Sequence, residues 1–554
     1  MLAAQLGVRP GDDRLPDLSP SGWQAKDDLA KETLAALEQI QDAGPPADAD
    51  ERRCAKLLAE RLPAALALSA TGEHLRDVRP ILGSLGSLQS IFILMPTATP
   101  DDWEVISRRM ARVPTAVEGY VSSLREGIRL GLLAAPRLVE AELDQLADWM
   151  AAGNGRGWYA ELARGAAGAD GSGGAAAGAG ASAVPESLRT DLDRTAASAI
   201  TAVADLRRWL AAEYLPKTDG TPASAGADRY RLGSRLWTGA ELDLDETYAW
   251  GWSEYLSLRD ELNAEAGRVL PGASLQAAMR HLDETGEAIE GVEQVRLRLQ
   301  QLMDEAIADL DGTHFDLAAP IKVVEARIAP AGSAAAPYYS RPSKDFSRPG
   351  RTFLPTRGRT RFPLWILVST WYHEGVPGHH LQLAQWTYLS ERLSTYQSSI
   401  GSVSACSEGW ALYAERLMDE LGYLTLPGAR LGYLGAQIWR AIRVVVDIGM
   451  HLQLRVPHDS PIGAGQIWTP ELAQQFCTAH SGHDADYVKS EVTRYLGAPG
   501  QAISYKLGER AWLAGREAAS SAHGGKLDLK SWHMAALSLG PLGLDDLTAE
   551  LGSL

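Results

Sequence analysis

The sequence has few cysteines and no surplus of basic charge. Its three cysteines, Cys54, Cys406 and Cys477, lie far apart in 554 residues, and no C-x-x-C pair occurs. A cysteine-based zinc site is therefore not expected, and so few cysteines in so long a chain are typical of a reducing compartment. The formal net charge of −17 argues against a nucleic-acid partner and against an anionic membrane surface, because no basic surplus is available to offset phosphates.

Long apolar runs are also absent. No segment approaches the roughly 20 apolar residues that a membrane-spanning helix needs. The opening stretch, MLAAQLGVRPGDDRLPDLSP, has neither the basic start nor the apolar core of a signal peptide. We therefore expect a cytoplasmic protein with no membrane partner.

Most of the chain has the spacing of amphipathic helices. In GWQAKDDLAKETLAALEQIQDA, for example, apolar residues recur at helical intervals with charges between them. The stretch 165–186 is instead rich in Gly, Ala and Ser, which predicts a flexible loop or linker. It separates an N-terminal helical region, 1–164, from a helical catalytic region, 187–554, and we expect the two regions to form one intertwined unit.

A different pattern occupies residues 315–356. IKVVEARIAP has the alternation and β-branched residues of a strand, and the turn-rich, aromatic and basic AAPYYSRPSKDFSRPGRTFLPT ends in a second strand-like run. Helical pattern returns at LWILVSTWYHEGV. We therefore predict a mainly α fold with a small β-sheet beside this helix, where a sheet edge is suited to pairing with an extended peptide.

The stretch Trp371–Gln382, WYHEGVPGHHLQ, resembles the zinc motif H-E-x-x-H with altered spacing. In that motif two histidines one helical turn apart bind one metal, and the glutamate acts as base toward its water. His373 and Glu374 supply the first half, but the next histidines are His379 and His380. On a regular helix neither would share a face with the first histidine.

Pro377 offers a reason for the altered spacing. It has no N–H to donate to the carbonyl of His373, and Gly378 adds backbone freedom. We predict a bulge of about two extra residues that returns a later histidine to the first one's face. His379 is the preferred ligand, because a Gly-His pair ends many H-E-x-G-H motifs, and His380 is the alternative. Incidental histidines on a kinked core helix are the less favoured interpretation.

A third ligand is expected from CSEGWALYAERL. Glu408 and Glu415 are seven residues apart in it, two turns along one helix face. SEGWALYAE resembles the N-E-G-F-A-x-Y-x-E signature of aminopeptidase-N-type zinc peptidases, whose first glutamate binds the metal. That resemblance assigns the ligand role to Glu408, and two solvated glutamates on an amphipathic helix are the alternative.

Four segments in a fixed order resemble a known family. YHEGVPGHHLQ, SEGWALYAE, RAIRVVVDIGMH and PGQAISYKLGE are similar to the bacterial family of unknown function numbered 885, which groups with the H-E-x-x-H metallopeptidase clan. YYSRPSKDFSRPG is similar to the family's Tyr-rich, Arg-Pro-Gly segment, and makes Tyr338 and Tyr339 candidate substrate-binding residues. The resemblance, strongest over 330–510, implies a large helical metallopeptidase-like fold with a deep cleft, as in thimet- and angiotensin-converting-type peptidases. It implies no particular substrate.

One helical segment, WRAIRVVVDIGMHLQLR, carries further candidates. Arg440, Arg443, Asp447 and His451 recur on one helix face. The arginines are candidates for binding a substrate carboxylate in bidentate fashion. His451 is a candidate catalytic residue, and Asp447 could orient it or a ligand histidine. A buried, salt-bridged helix is the equally favoured alternative.

Tyr505 follows a Pro-Gly turn near the end of the chain. Helical zinc peptidases often use a late tyrosine to hydrogen-bond the tetrahedral oxyanion. Tyr505 is the preferred residue for this role and Tyr495 the alternative, while a core tyrosine is about as well favoured.

These patterns predict a zinc-dependent hydrolase, most simply a peptidase acting on short peptides or peptide-like amides. Zn²⁺ would be held by His373, His379 and Glu408, with Glu374 as base. Two rival hypotheses remain. One is an amidase or esterase of specialised metabolism. The other is a metal- or peptide-binding protein without turnover.

Overall fold

A computed structural model describes residues 11–44, 46–93, 95–166, 184–329 and 336–554. The described part of the chain is mainly helical with a few short strands, which confirms the predicted fold class. Most of the flexible loop predicted at 165–186 lies outside the described residues. Among the described helices, none combines the length and the apolar composition that crossing a bilayer requires.

Helices and strands are numbered here in chain order. The helices are α1 Pro20–Asp42, α2 Ala49–Ala70, α3 Ser87–Ile93, α4 Pro100–Met110, α5 Val113–Leu130, α6 Pro136–Gly155, α7 Trp158–Arg164, α8 Glu186–Trp209, α9 Ala227–Thr238, α10 Leu244–Val269, α11 Leu275–Thr285, α12 Val292–Leu310, α13 Leu364–Glu374, α14 His379–Tyr388, α15 Ser404–Glu420, α16 Ala429–Leu452, α17 Pro470–Ser481, α18 Ala485–Gly497, α19 Ser504–Ala522, α20 Leu529–Leu537 and α21 Leu544–Gly552. The strands are β1 Ala288–Glu290, β2 Val324–Ile328, β3 Tyr338–Ser340, β4 Gly350–Leu354 and β5 Arg361–Pro363.

The first of two compact units contains Met1–Thr33 and Leu66–Ala223. Its core is built from the apolar faces of α3 to α8 and is rich in aromatic side chains. Trp158 packs edge-on against Tyr159, with ring centroids 5.1 Å apart. Edge-to-face packing of this kind suits the quadrupoles of two aromatic rings.

The second unit contains Leu34–Ala65 and Ser224–Leu554, and it holds the whole of the predicted metal motif. Buried side chains of α12 to α16 and of α19 to α21 form its core. α16 is buried along most of its length because its central residues, AIRVVVDIGM, are almost all apolar. The few polar residues on it are therefore placed inside the protein, where they require partners.

Two small sheets flank the helices of the second unit. In the larger sheet β4 lies in the middle, parallel to β2 and antiparallel to β3. The smaller sheet pairs β1 with β5, and β5 leads directly into α13. The small sheet predicted at 315–356 is thus present beside the helix that carries the His-Glu pair.

Candidate metal centre

The predicted bulge is wrong, because the chain forms two helices with a break between them. α13 ends at Glu374 and α14 begins at His379. Between them Gly375 has φ −98° and ψ −125°, and Gly378 has φ −74° and ψ −130°, both far from helical values. Pro377 cannot donate a helical hydrogen bond, so the helix stops instead of absorbing extra residues.

Hydrogen bonds from outside the motif hold this break in place. The indole Nε1–H of Trp410 donates to the carbonyl oxygens of Pro377 at 2.9 Å and Gly378 at 3.1 Å. The backbone N–H of Gly378 donates to the carbonyl of Tyr372 at 3.0 Å. A Cβ at Gly378 would collide with the carbonyl oxygens of Tyr372 and His373. Glycine is therefore required there by the close approach of two backbone segments.

The break brings together the three residues predicted as metal ligands. One ligand atom each from His373, His379 and Glu408 lies within 4.8 Å of the other two. Glu408 Oε2 is 3.5 Å from His373 Nε2 and 3.4 Å from His379 Nε2. The two imidazole rings are nearly perpendicular, at 86°, with centroids 4.7 Å apart. All three side chains are mostly shielded from solvent.

This geometry fits a tetrahedral zinc ion. Zinc bonds of about 2.0–2.1 Å to nitrogen and oxygen place neighbouring ligand atoms of a tetrahedron about 3.3 Å apart. The distances of 3.5 and 3.4 Å from Glu408 to the two histidines are close to that edge. Glu408 Oε2 is buried and makes no hydrogen bond to a described residue, so a cation would satisfy it. Two imidazoles and a carboxylate form a ligand set of catalytic zinc, which leaves one position open.

Glu415 orients one of these histidines. Its Oε1 accepts a hydrogen bond of 2.8 Å from His373 Nδ1, and its Oε2 accepts one of 2.5 Å from Ser369 Oγ. Arg440 Nη2 lies 3.8 Å from the same carboxylate. Holding the proton on Nδ1 directs the Nε2 lone pair of His373 toward Glu408 and the candidate metal position. The seven-residue spacing of the two glutamates was a signal for this role, but the sequence alone did not assign it.

The site attracts positive charge. Burial lowers the pKa of His373, but the adjacent carboxylates, Glu408 at 3.5 Å and Glu415 at 2.8 Å, outweigh burial and raise it to about 9. Burial acts to raise the pKa of Glu408, yet the neighbouring histidines hold it well below its usual range. Both pKa shifts show that added positive charge is stabilised at this site, and either a proton or a metal ion can supply that charge.

Glu374 lies at the last position of α13, directly after His373, and is 7% exposed. Burial is the main cause that raises the pKa of its carboxyl, and the charge of Glu408 adds to it. His373, His379 and Arg440 act in the opposite direction. These mutual effects show that Glu374 lies close to the candidate ligand residues.

The structure distinguishes the two candidate tyrosines. The hydroxyl of Tyr495 donates to Glu491 Oε2 at 3.0 Å and accepts a hydrogen bond of 3.1 Å from Arg443 Nε. Tyr495 is therefore fully engaged inside the protein. Tyr505 is only partly buried, and the charge of Glu408, after burial itself, raises its pKa. Of the two tyrosines, Tyr505 is thus the one whose pKa responds to Glu408 of the candidate metal centre.

A contact between two glycines explains how Tyr505 reaches this position. A Cβ on Gly508 of α19 would be 2.6 Å from the Cα of Gly409 on α15. The two helices cross backbone to backbone, which only glycine permits. Glu408 precedes one of these glycines, and Tyr505 lies one turn before the other.

His380 and Tyr339 are hydrogen-bonded to each other and not to the three candidate ligands. His380 Nδ1 accepts a hydrogen bond of 2.9 Å from the Tyr339 hydroxyl, and its Nε2 donates to the Ile321 carbonyl at 2.7 Å. Burial lowers the pKa of His380 to about 4. The ring of Tyr338 stacks on Phe353 at 4.7 Å. Both tyrosines predicted to bind substrate therefore have partners within the protein.

His451 has a structural role in place of the predicted catalytic one. Its Nδ1 accepts from the backbone N–H of Ala225 at 3.0 Å, and its Nε2 donates to the carbonyl of Tyr495 at 3.1 Å. Burial lowers its pKa to about 4. Asp447 likewise accepts hydrogen bonds from Tyr230 at 2.8 Å and from the Gly500 N–H at 3.0 Å. Neither residue is bonded to a candidate ligand.

A family model described as "Bacterial protein of unknown function (DUF885)" matches residues 1–551. The chain belongs to the DUF885 family. This match confirms the family resemblance predicted from the sequence. No curated protein matches this DUF885 chain significantly.

Two solved structures share the fold. A "putative lipoprotein" from Colwellia psychrerythraea has a TM-score of 0.82 at 21% identity, covering 100% of this chain and 95% of the other. A "putative lipoprotein of unknown function" from Shewanella oneidensis has a TM-score of 0.68 at 18% identity, covering 99% and 96%. At such identities the likeness establishes the fold of this DUF885 chain and nothing finer.

These comparisons contradict the predicted cytoplasmic localisation, because both solved relatives are described as lipoproteins. The prediction rested on few cysteines and on the composition of the first residues. Neither feature is specific, since a chain with few cysteines is compatible with oxidising and reducing compartments alike.

Proposed function

We propose that this DUF885 protein is a zinc-dependent hydrolase that cleaves short peptides or peptide-like amides. The observation that carries the proposal is the convergence of His373, His379 and Glu408 at ligand–ligand spacings suited to zinc. The sequence resemblance to the H-E-x-x-H metallopeptidase clan supports the same chemistry, with the second histidine delivered by a helix break.

The protein groups around the ligands have complementary roles in this proposal. A bound Zn²⁺ supplies Lewis acidity and lowers the pKa of water. Glu374 accepts the proton of the attacking water and returns it to the leaving amine. The hydroxyl of Tyr505 donates a hydrogen bond to the oxyanion that develops on the carbonyl oxygen. Glu415 holds His373 in one tautomer throughout.

The metal is tested by elemental analysis of protein purified without chelator. We expect about one zinc per chain. Acidification should lower the affinity for zinc, because the histidine ligands must be neutral. Absence of a transition metal, together with no uptake of added zinc, would overturn the proposal.

Catalysis is tested separately with a library of short peptides, with matched amides and esters included. We expect turnover of peptides that a chelator abolishes and zinc restores. Turnover of simple amides or esters alone would replace the peptidase with the amidase or esterase hypothesis. Zinc binding without any turnover would leave a metal-binding protein.

A further inference from the structure

One guanidinium of the second unit is buried with an unused donor. The side chain of Arg443 on α16 is 7% exposed. Its Nη2 donates to Glu491 Oε2 at 2.9 Å and its Nε donates to the Tyr495 hydroxyl at 3.1 Å. Its Nη1 is buried but makes no hydrogen bond to a described residue. Leaving such a donor without a partner costs stability, so a group that binds it would be favoured.

The surroundings of Arg443 have a surplus of positive charge. Its only carboxylate partner among the described residues, Glu491, is shared with Arg494, which binds it through two hydrogen bonds of 3.0 and 2.9 Å. The remaining Nη1 of Arg494 donates to a neutral acceptor, Gln501 Oε1. One buried carboxylate therefore faces two guanidiniums. An additional negative charge would offset part of the positive charge of these hydrogen-bonded groups, whose desolvation is otherwise poorly compensated.

Aromatic rings and a second arginine complete the surroundings. The guanidinium carbon of Arg443 lies 4.6 Å from the ring centre of Tyr505 and 5.5 Å from that of Trp439. Such rings cover the faces of a guanidinium and leave its N–H edge for an anion. One turn earlier on α16, Arg440 Nε is also buried without a hydrogen-bond partner among the described residues.

Both arginines adjoin the candidate metal centre. Tyr505, whose ring lies against Arg443, is one turn before Gly508, and Gly508 packs on Gly409, the residue after Glu408. Arg440 Nη2 is 3.8 Å from Glu415, the hydrogen-bond partner of His373. An anion held by Arg443 would therefore sit next to the tyrosine that is proposed to bind the oxyanion.

We infer that Arg443, assisted by Arg440, binds a carboxylate of the substrate, so that the preferred substrates carry a free carboxylate near the scissile bond, as a C-terminal residue does. The guanidinium edge matches a carboxylate in bidentate geometry. The cleavage part of this inference rests on the proposed function, whereas the binding part does not.

The kinetic test compares peptide pairs that differ only in a C-terminal carboxylate or carboxamide. For the wild type we expect kcat/KM to be at least about tenfold higher for the acid, as loss of a charge-assisted hydrogen bond predicts, with most of the difference in KM. Arg443→Lys should lower the ratio of kcat/KM for the acid to kcat/KM for the amide, because this ratio cancels any effect of the substitution that both substrates share. Equal rates for acid and amide in the wild type would overturn the inference and leave the hydrolase intact.

Arg494→Lys is the matched control, because Arg494 lies in the same cluster but has all of its donor groups engaged. We expect Arg494→Lys to change the free energy of unfolding while leaving the ratio of kcat/KM for the acid to kcat/KM for the amide unchanged. If both variants lowered the ratio equally, Arg443 would be a packing residue. The wild-type comparison needs no variant, so it stands even if Arg443→Lys fails to fold.

A binding measurement separates the inference from the proposed function. Calorimetric titration of N-acetylglycine into zinc-free protein should show binding that N-acetylglycinamide does not show, since the zinc-free form excludes coordination of the acid to metal. The Arg443→Lys variant should no longer bind N-acetylglycine. No binding of the acid, or binding unaffected by the substitution, contradicts the inference whether or not any peptide is cleaved.

Discussion

At the scale of residues, two neighbouring carboxylates are expected to do different work. Glu374→Gln keeps the shape of the side chain and removes the base, so zinc should be retained while turnover falls by at least about 10²-fold. Glu408→Gln removes an anionic ligand, so the affinity for zinc itself should fall. Zinc titration of both metal-free variants, with activity measured on a wild-type substrate, checks the assignment. Loss of zinc by Glu374→Gln alone would exchange the two roles.

The two adjacent histidines are also separable. His379→Ala removes a nitrogen that lies 3.4 Å from Glu408 Oε2, so tight zinc binding should be abolished. His380→Ala removes hydrogen bonds to Tyr339 and Ile321, so it should mainly lower the melting temperature. Zinc affinity and thermal unfolding of both variants distinguish these outcomes. The opposite pattern would make His380 the ligand.

The sequence could predict which candidate ligands converge because their signal is local. A histidine pair and a Ser-Glu-Gly segment carry their signal within a few residues. The role of His451 was not predictable in this way, since its partners Ala225 and Tyr495 come from distant parts of the chain. The free Nη1 of Arg443 is likewise a property of packing, which no spacing encodes.

At the scale of elements, Pro377 correctly predicted a distortion of the helix that carries His373 but not the form of that distortion. Local rules say that proline interrupts a helix, and they leave open whether the chain bulges or breaks. The form is decided by Trp410, which is 33 residues from Pro377 in sequence and donates to two carbonyls of the break. Tertiary hydrogen bonding thus settled what local conformation could not.

Trp410→Phe tests this dependence. It keeps most of the ring and removes the N–H, leaving the carbonyls of Pro377 and Gly378 without their donor. His379 immediately follows, so zinc affinity should fall by on the order of tenfold, as for other groups that position ligands. Trp386→Phe is the control, because it also removes a buried indole hydrogen bond, to Leu537, without touching the break. Equal losses of zinc affinity in both variants would refute the role given to Trp410.

At the scale of the whole molecule, helical periodicity and β-branched alternation were sufficient to predict the fold class and the small sheet. The division of the chain into two units was harder to predict from the sequence. The chain passes between units within α1, at 33–34, and within α2, at 65–66, where no loop or change of composition marks a boundary. The boundary predicted at 165–186 lies mostly outside the described residues and stays a prediction.

The first unit contains a carboxylate that should make its stability depend on pH. Glu142 on α6 is fully buried, and neither of its carboxylate oxygens has a hydrogen-bond partner among the described residues. Burial, and next the charge of Asp77, raises its pKa from 4.5 to about 8. Between these values the folded chain retains a proton that the unfolded chain has lost. The free energy of unfolding should therefore fall as the pH rises from 4.5 to 8.

Glu142→Gln removes this titration while keeping the size of the side chain. The variant should melt at a higher temperature than the wild type at pH 8, with a smaller difference at pH 5. Asp144→Asn, on the exposed face of the same helix, is the control and should not reproduce the difference. If the melting temperature of the Glu142→Gln variant depended on pH as strongly as that of the wild type, another group would be responsible.

The break between α13 and α14 also bears on how related proteins are found in genomes. A search for two histidines at positions i and i+4 passes over this chain, because its second candidate ligand follows the first by six residues. A usable query describes a helix that ends in His-Glu, a short Pro-Gly interruption, and a helix that opens with histidine. Proteins that were excluded because they lack the H-E-x-x-H spacing should be searched again with that query. The distance between ligand atoms, and not the number of residues between them, decides whether a metal can bind.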